Sequence, residues 1–238
     1  MKSAKKALVV ISGGLDSTTA LLYATQNYES VEAVSFFYGQ KQYHEIELAR
    51  MSCKRLGVPH RHIDISFIAD IAKGVSANLS GSEIKMPTIK DVLGDPQPVT
   101  YVPNRNMMML AISASVAESV GATDLLMGFQ SNDEYGYWDT TQAFVDAMNA
   151  ALSLNRGNAV KLVSPFVDWT KAMEIQYTLD VTGNIDLYTT TITCYEPRLV
   201  KGVHHSCGRC PSCAERLKAF KSLGLVDPIP YVSQSEEQ

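Results

Sequence analysis

Short apolar runs alternate with helical patterns through the first half of the chain, and this alternation limits the fold more than any other feature. Ala7–Ile11 reads as a buried strand and Ser17–Asn27 as a helix. Val31–Phe37 is a second strand, Lys41–Leu56 a helix with Ile46, Ala49 and Cys53 at helical spacing, and Arg61–Ile65 a third strand. Repeats of this kind give a parallel sheet covered by helices through right-handed crossovers. The expected fold class is α/β, a doubly wound, mostly parallel sheet with a small C-terminal metal-binding segment.

Residues 66–103 interrupt the rhythm. The stretch is rich in Gly, Pro, Ser and Asp, and a connection this long in a compact domain is expected to be a lid or substrate loop. Regularity returns with a buried helix over Asn106–Val120, whose methionines serve as core filler. A strand over Asp124–Phe129, a helix capped by Asp139 or Thr140, a short strand over Val160–Val163 and a helix over Thr170–Thr182 follow. The chain thus divides into an α/β nucleotide-binding domain (1–190), a four-cysteine segment (191–224) and a polar tail (225–238). The formal charge of −4 argues against general nucleic-acid binding, which needs a basic surface. No apolar run approaches a membrane span, and the one following the N-terminal lysines ends in Ser-Gly-Gly after five residues, so a cytoplasmic location is expected.

The join between the first strand and the first helix reads Ile11-Ser12-Gly13-Gly14-Leu15-Asp16-Ser17-Thr18. Glycines let backbone N–H groups approach an anion, and the helix that follows points its positive end at the same place. Ser12, Ser17 and Thr18 add hydroxyl donors. Asp16 is read either as a helix cap or as a holder of the Mg²⁺ that accompanies a triphosphate. The Lys of a Walker loop and the spacing of Gly-x-Gly-x-x-Gly are both absent. The arrangement instead resembles the PP-loop of N-type ATP pyrophosphatases, which implies transfer of AMP with pyrophosphate leaving. The plain alternative is a glycine-rich turn that merely joins strand to helix.

Four of the five cysteines, Cys194, Cys207, Cys210 and Cys213, fall in the C-terminal segment as C-x12-C-x2-C-x2-C. Four thiolates at such spacing suit a closed tetrahedral zinc site, with Gly208 and Pro211 making the turns. An iron–sulfur cluster is the rival ligand. His204 and His205 read as solvated loop residues, and Cys53 as a core residue.

Together these segments resemble the 7-cyano-7-deazaguanine synthase (QueC) family over most of the chain. "VISGGLDSTTALL" matches its nucleotide loop, "FYGQKQYHEIELA" the segment after its second strand, "YVPNRNMMML" its Val-Pro-Gly-Arg-Asn run, "DWTKAMEI" a Lys-Ala-Glu segment, and "TCYEP…CGRCPSCAERLKAF" its zinc region. The resemblance implies ATP, Mg²⁺ and Zn²⁺, with Tyr38 and Gln40 joining residues 11–18 around the nucleotide. It implies Arg105 and Lys171 as cations for the phosphates, with Asn106 and Glu174 beside them. For Lys171 the alternative is a solvated first-turn lysine. The implied reaction adenylates the carboxylate of 7-carboxy-7-deazaguanine. Ammonia then gives the amide, and a second ATP the nitrile. A homodimer is implied as well.

The substrate segment departs from the family. Here it reads "GFQSNDEYGYWDTT", with Tyr135, Trp138, Thr140 and Thr141 where the family has Ser, Pro, Cys and Arg. Losing a guanidinium beside an anion is not a neutral change. Asp133, Tyr137 and Asp139 retain the pattern that would meet a guanine-like edge, and helix capping is the alternative for both aspartates. Three other functions therefore stand beside nitrile formation. One is a QueC-like paralogue, of the kind found in bacterial antiviral operons, joining the activated acid to another amine such as a protein N-terminus. The second is a nucleotide- or deazapurine-binding scaffold. The third is a tRNA-modifying PP-loop thiolase, which the acidic charge and the absence of an RNA-binding domain disfavour.

Overall fold

The computed structural model describes residues 3–87, 99–131, 137–155 and 160–232. Five parallel strands form the sheet in the order β3-β2-β1-β4-β5: β1 Ser3–Val10, β2 Tyr28–Phe37, β3 His60–Asp64, β4 Asp124–Met127 and β5 Lys161–Val163. Successive side chains of β1 point to opposite faces, as strand geometry requires. Leu8 and Val10 pack with Met109, Leu110 and Ala114 of the helix Arg105–Val120 (α4), together with Val145 and Leu152 of the helix Gln142–Leu152 (α5). Ala7 and Val9 pack on the other face with Ala20, Leu21 and Ala24 of α1 (Leu15–Asn27) and with Ala49 and Cys53 of α2 (Glu45–Arg55). Apolar side chains on both faces explain the near-continuous apolar run of β1 and establish the doubly wound class.

The chain travels outward from β1 to β2 and β3, then returns to lay β4 and β5 on the other side. The strand order reverses between β1 and β4, so the crevice at their carboxyl ends is the place where such a sheet binds ligands. The loop after β1 is Ile11–Gly14, and the loop after β4 begins at Gly128. A Cβ on Gly128 would lie 2.8 Å from the carbonyl carbon of Asp16, so the close approach of these loops requires glycine there.

Several boundaries differ from the sequence reading. The second helix starts at Glu45 rather than at residue 41, because Gln40 instead bridges to Leu79. Part of the segment expected to be a lid is core: α3 (Phe67–Ile71) buries Ile68, and Ala72 and Leu79 join the same cluster. Met107, expected inside, is exposed, while Met109 is buried. Thr141, not Asp139 or Thr140, caps α5 by accepting from the Phe144 N–H at 3.3 Å; residues Trp138–Thr140 are a short 3-10 turn before it.

The C-terminal part packs against the sheet domain. The helix Lys171–Thr182 (α6) and the helix Pro211–Ser222 (α7) enclose Leu15, Ile175, Tyr188, Ala219 and Phe220. Between them lies the antiparallel pair β6 (Arg198–Val200) and β7 (Val203–His205). Residues 225–232, expected to begin a polar tail, are docked instead. Fully buried Arg216 of α7 donates through Nε and Nη2 to the Asp227 carboxylate at 2.7 and 3.0 Å, and the Tyr231 hydroxyl donates to Asp227 Oδ2 at 2.6 Å. A buried guanidinium demands such a partner. Among the described residues no helix is long and apolar enough to cross a membrane.

Candidate active site

At the switch point lies a cavity of about 310 Å³. Its floor is the loop after β1. Ser12 Oγ and Ser17 Oγ lie 3.0 Å apart, Ser12 N–H donates to Ser17 Oγ at 3.2 Å, and Gly14 N–H donates to Ser12 Oγ at 3.3 Å. Gly13 takes φ +86°, and a Cβ there would be driven into the Glu45 carbonyl. The loop is therefore fixed by its own hydroxyls and by glycine. No side chain caps α1, which leaves its first-turn N–H groups facing the crevice, a natural anion site. Asp16 is accordingly not a helix cap.

Of the residues expected at the nucleotide, Ile11, Ser12, Gly14, Asp16 and Ser17 line the cavity, and Tyr38 and Gln40 line the wall beyond β2. Leu15 and Thr18 do not: both are fully buried, Leu15 against Phe220 and Tyr188. Gly13 contributes backbone, its carbonyl accepting from Ile192 N–H at 2.9 Å. Gln40 is a brace for the turn, since Tyr38 N–H donates to its Oε1 at 2.8 Å and its Nε2 donates to the Phe36 carbonyl at 3.2 Å.

Arg105 and Lys171 both reach the cavity. Arg105 lies over the Tyr38 ring at 5.5 Å and donates from Nη1 to its hydroxyl at 3.3 Å, an orientation that holds the guanidinium against the wall. Lys171 is only 5 % exposed, which excludes a solvated first-turn lysine. Its Nζ donates to Gln130 Oε1 at 2.9 Å and lies 3.5 Å from Asp16 Oδ1 and 2.9 Å from Glu215 Oε2. Beneath it, Glu174 is fully buried beside Asp16 and Gln130, and neither carboxyl oxygen makes a hydrogen bond of good geometry. Burial first, then the neighbouring Asp16 carboxylate, raises the Glu174 pKa well above the usual range.

Three residues of this site escaped the sequence reading: Gln130, Glu215 and Glu45. Gln130 is a buried polar residue just past the fully buried strand β4. Glu215 lies far off in sequence, and only the packing of α7 on α6 brings it to Lys171.

The substrate segment is placed less completely. Tyr137 lines the cavity, and its hydroxyl shares a 2.6 Å hydrogen bond with Thr100 Oγ1. Asp133 lies outside the described residues. Asp139 does not line the cavity; it is held by Asn106 Nδ2, which donates to its carbonyl at 3.3 Å, and burial raises its pKa. Of the departures from the family pattern, Trp138 is exposed and Thr141 is occupied as the α5 cap, and neither lines the cavity. Thr140 does line it, donating from Oγ1 to the Tyr137 carbonyl at 2.7 Å, and Tyr135 lies outside the described residues.

The cysteines converge as expected. The Sγ atoms of Cys194, Cys207, Cys210 and Cys213 all lie within 4.8 Å of one another. The N–H groups of Arg209 and Cys210 point at Cys207 Sγ at 3.5 and 3.3 Å, and Cys207 N–H points at Cys194 Sγ at 3.1 Å, donors that favour thiolate. The histidines stay outside this set. His204 is exposed, as expected, and also stacks on His44 with ring centroids 3.9 Å apart; burial, then His204, lowers the His44 pKa to about 4. The cysteine cluster abuts the cavity: Gln42 Nε2 donates to the Tyr195 carbonyl, and Tyr195 and Ser212 line the cavity wall.

The model of the queuosine biosynthesis protein QueC family matches residues 6–224. The 7-cyano-7-deazaguanine synthase of Caldicellulosiruptor bescii is 40% identical over 232 residues, covering 95% of this chain and 97% of that protein. The 7-cyano-7-deazaguanine synthase of a Marinomonas species is 39% identical, with 95% and 98% covered. Among solved structures, a 4-thiouridine synthetase–RNA complex with bound ATP gives a TM-score of 0.47 at 18% identity, over 92% of this chain and 51% of that one. Matched over nearly its whole length and at these identities, the chain belongs to the QueC family of queuosine biosynthesis proteins.

Proposed function

We propose that the protein is an ATP-dependent ligase of the 7-cyano-7-deazaguanine synthase type. It would adenylate the carboxylate of 7-carboxy-7-deazaguanine and pass the acyl group to ammonia, then carry the amide to the nitrile with a second ATP. The observation that carries this reading is the cavity itself. An uncapped helix N-terminus, two fixed serine hydroxyls, Arg105 and buried Lys171 converge where pyrophosphate would leave.

The attacking carboxylate and the triphosphate are both anionic, so the site must hold negative charge before and during transfer. Pre-oriented N–H groups and two fixed cations do this without reorganising in the transition state. Ser12 and Ser17 orient the loop, and Arg105, held by Tyr38, is set to meet phosphate or carboxylate in a fixed direction. Exclusion of water would protect the acyl adenylate from hydrolysis; Tyr137, fixed by its hydrogen bond with Thr100, lines one side of the cavity.

The residues present suit a divalent cation. Asp16 Oδ1 and both Glu174 oxygens are buried without a hydrogen bond, next to the loop that would carry the phosphates. Hard carboxylate oxygens match Mg²⁺, which would neutralise phosphate charge. The four sulfurs suit one tetrahedral ion: at a metal–sulfur distance of about 2.3 Å, thiolates around zinc sit about 3.8 Å apart, and Cys207 Sγ and Cys213 Sγ are separated by 3.9 Å. A cluster places its own iron and sulfide between the thiolates and spreads them further. Zinc there would be structural, because four ligands close the coordination.

Incubation with ATP, Mg²⁺, 7-carboxy-7-deazaguanine and ammonium tests the reading by mass spectrometry. Formation of AMP and the nitrile supports it. AMP without nitrile favours the paralogue that joins the acid to another amine. Neither product removes the carboxylate assignment.

A further inference from the structure

The cavity holds a carboxyl group that adenylation does not use. Among the described residues lining it, the carboxylates are Asp16 and Glu45. Asp16 is neutralised by Lys171. Among the described residues, the Glu45 carboxyl has no hydrogen-bond or ion-pair partner; Arg105, which it senses across the cavity, is turned toward Tyr38. Glu45 opens α2, and its own carbonyl is pressed against the position of a Gly13 Cβ. The residue is therefore fixed at the edge of the nucleotide loop by backbone contact.

Resting on the ligase reading above, the geometry points to Glu45 as the proton acceptor for the amine that attacks the acyl adenylate. The amine step needs such a group. As the nitrogen–carbon bond forms, the nitrogen must lose a proton. The carbon–oxygen bond to AMP breaks with its electron pair leaving on the phosphate oxygen, and the proton passes to the Glu45 carboxylate. Acid, ATP and ammonia thus become amide, AMP and pyrophosphate, with one proton left on Glu45 for release to water. A base works best when its pKa lies near the operating pH. Burial pushes the Glu45 carboxyl up to about 8, with Arg105 partly opposing, so Glu45 is matched to neutral conditions as an ordinary surface glutamate is not. The other carboxyls described nearby, Glu174, Glu215 and Asp139, do not line the cavity.

The test separates the two chemical steps in the intact protein. Acid-dependent ATP–pyrophosphate exchange reads adenylation, amide formation from ammonia reads capture, and hydroxamate formation reads capture by hydroxylamine, a stronger nucleophile that needs less help from a base. For Glu45→Gln the expected result is a fall of roughly 10²–10³-fold in amide formation, a fall of less than about tenfold in exchange, and a hydroxamate yield depressed less than the amide. Glu45→Asp should recover part of the amide rate, and it keeps the test alive if the Gln variant does not fold. Amide formation within about threefold of the parent protein would overturn the assignment. So would a parallel loss of exchange and amide formation in a folded variant, which would place Glu45 in adenylation. Absence of exchange in the unaltered protein would remove the ligase reading itself, and the role of Glu45 with it.

Discussion

Lys171, on the first turn of α6, holds its ammonium 3.5 Å from Asp16 Oδ1 on the nucleotide loop. The pair joins two segments more than half the chain apart and puts a nearly buried cation beside the carboxylate expected to meet a divalent ion. Replacing Lys171 by Met removes the ammonium from beside the Asp16 and Glu215 carboxylates. Removing one partner of a buried charge set costs about 3–5 kcal/mol, so Lys171→Met should lower the urea midpoint clearly. Acid-dependent ATP–pyrophosphate exchange should fall at least about 10²-fold, as expected on losing a preorganised electrostatic donor. Unchanged exchange in the folded variant would place Lys171 outside the chemistry.

Gly13 should tolerate no side chain. Its φ of +86° and the Glu45 carbonyl beside it mean that Gly13→Ala must displace either the loop or the start of α2. ATP affinity measured by calorimetry should weaken by about tenfold or more, at a strain of about 1–3 kcal/mol. Gly57→Ala, at φ +67° with nothing near the added Cβ, should cost stability without touching ATP affinity.

Metal analysis should find one zinc per chain. Cys194→Ser should lose the ion, lower the melting temperature and weaken ATP binding, because Gln42 and Tyr195 tie this segment to the cavity wall. Two zinc ions, or labile iron and sulfide, would contradict a single four-sulfur site.

Arg216→Met should destabilise by about 3–5 kcal/mol, since it leaves the buried Asp227 carboxylate without its counter-charge, with only neutral donors such as the Tyr231 hydroxyl and the Ile229 N–H beside it. Pairing it with Asp227→Leu should recover much of the loss, giving a positive coupling in a double-mutant cycle. Additive losses would mean that the pair is not the interaction holding residues 225–232 in place.

Much of the architecture could be read from residue order. The alternation of short apolar runs with helical patterns announced a covered parallel sheet, and the cysteine spacing announced one cluster. What could not be read was set by contacts across long sequence distances. Lys171 could be read either as a cation for the phosphates or as a solvated first-turn lysine, because its partners Asp16, Gln130 and Glu215 are scattered along the chain. Thr141 looked like a lost arginine because substrate recognition was the only role considered for its position, whereas the backbone uses it as a cap. Residues 225–232 looked like a tail because the demand for Asp227 originates inside α7, at Arg216.

Stability should also report on Glu45. Its folded pKa of about 8 exceeds the ordinary carboxylate value, so between roughly pH 4.5 and 8 the folded chain binds a proton that the unfolded chain has released. Folding is therefore favoured at the acid end of that window and weakened as pH rises through it. Cavity solvent reduces the effect to about 1–2 kcal/mol. Ligand-free Glu45→Gln should melt at the same temperature as the parent near pH 4.5 and several degrees higher at pH 8. Parallel melting curves across the window would mean that Glu45 is not desolvated.

The hydrogen bond from Ile192 N–H to the Gly13 carbonyl ties the loop after β1 to the stretch that leads into Cys194. The loop's glycines and serines fix it from within, and this strut fixes it from outside. A disturbance of the cysteine segment should therefore travel along the backbone into the loop, so that the two parts of the chain stiffen or slacken together.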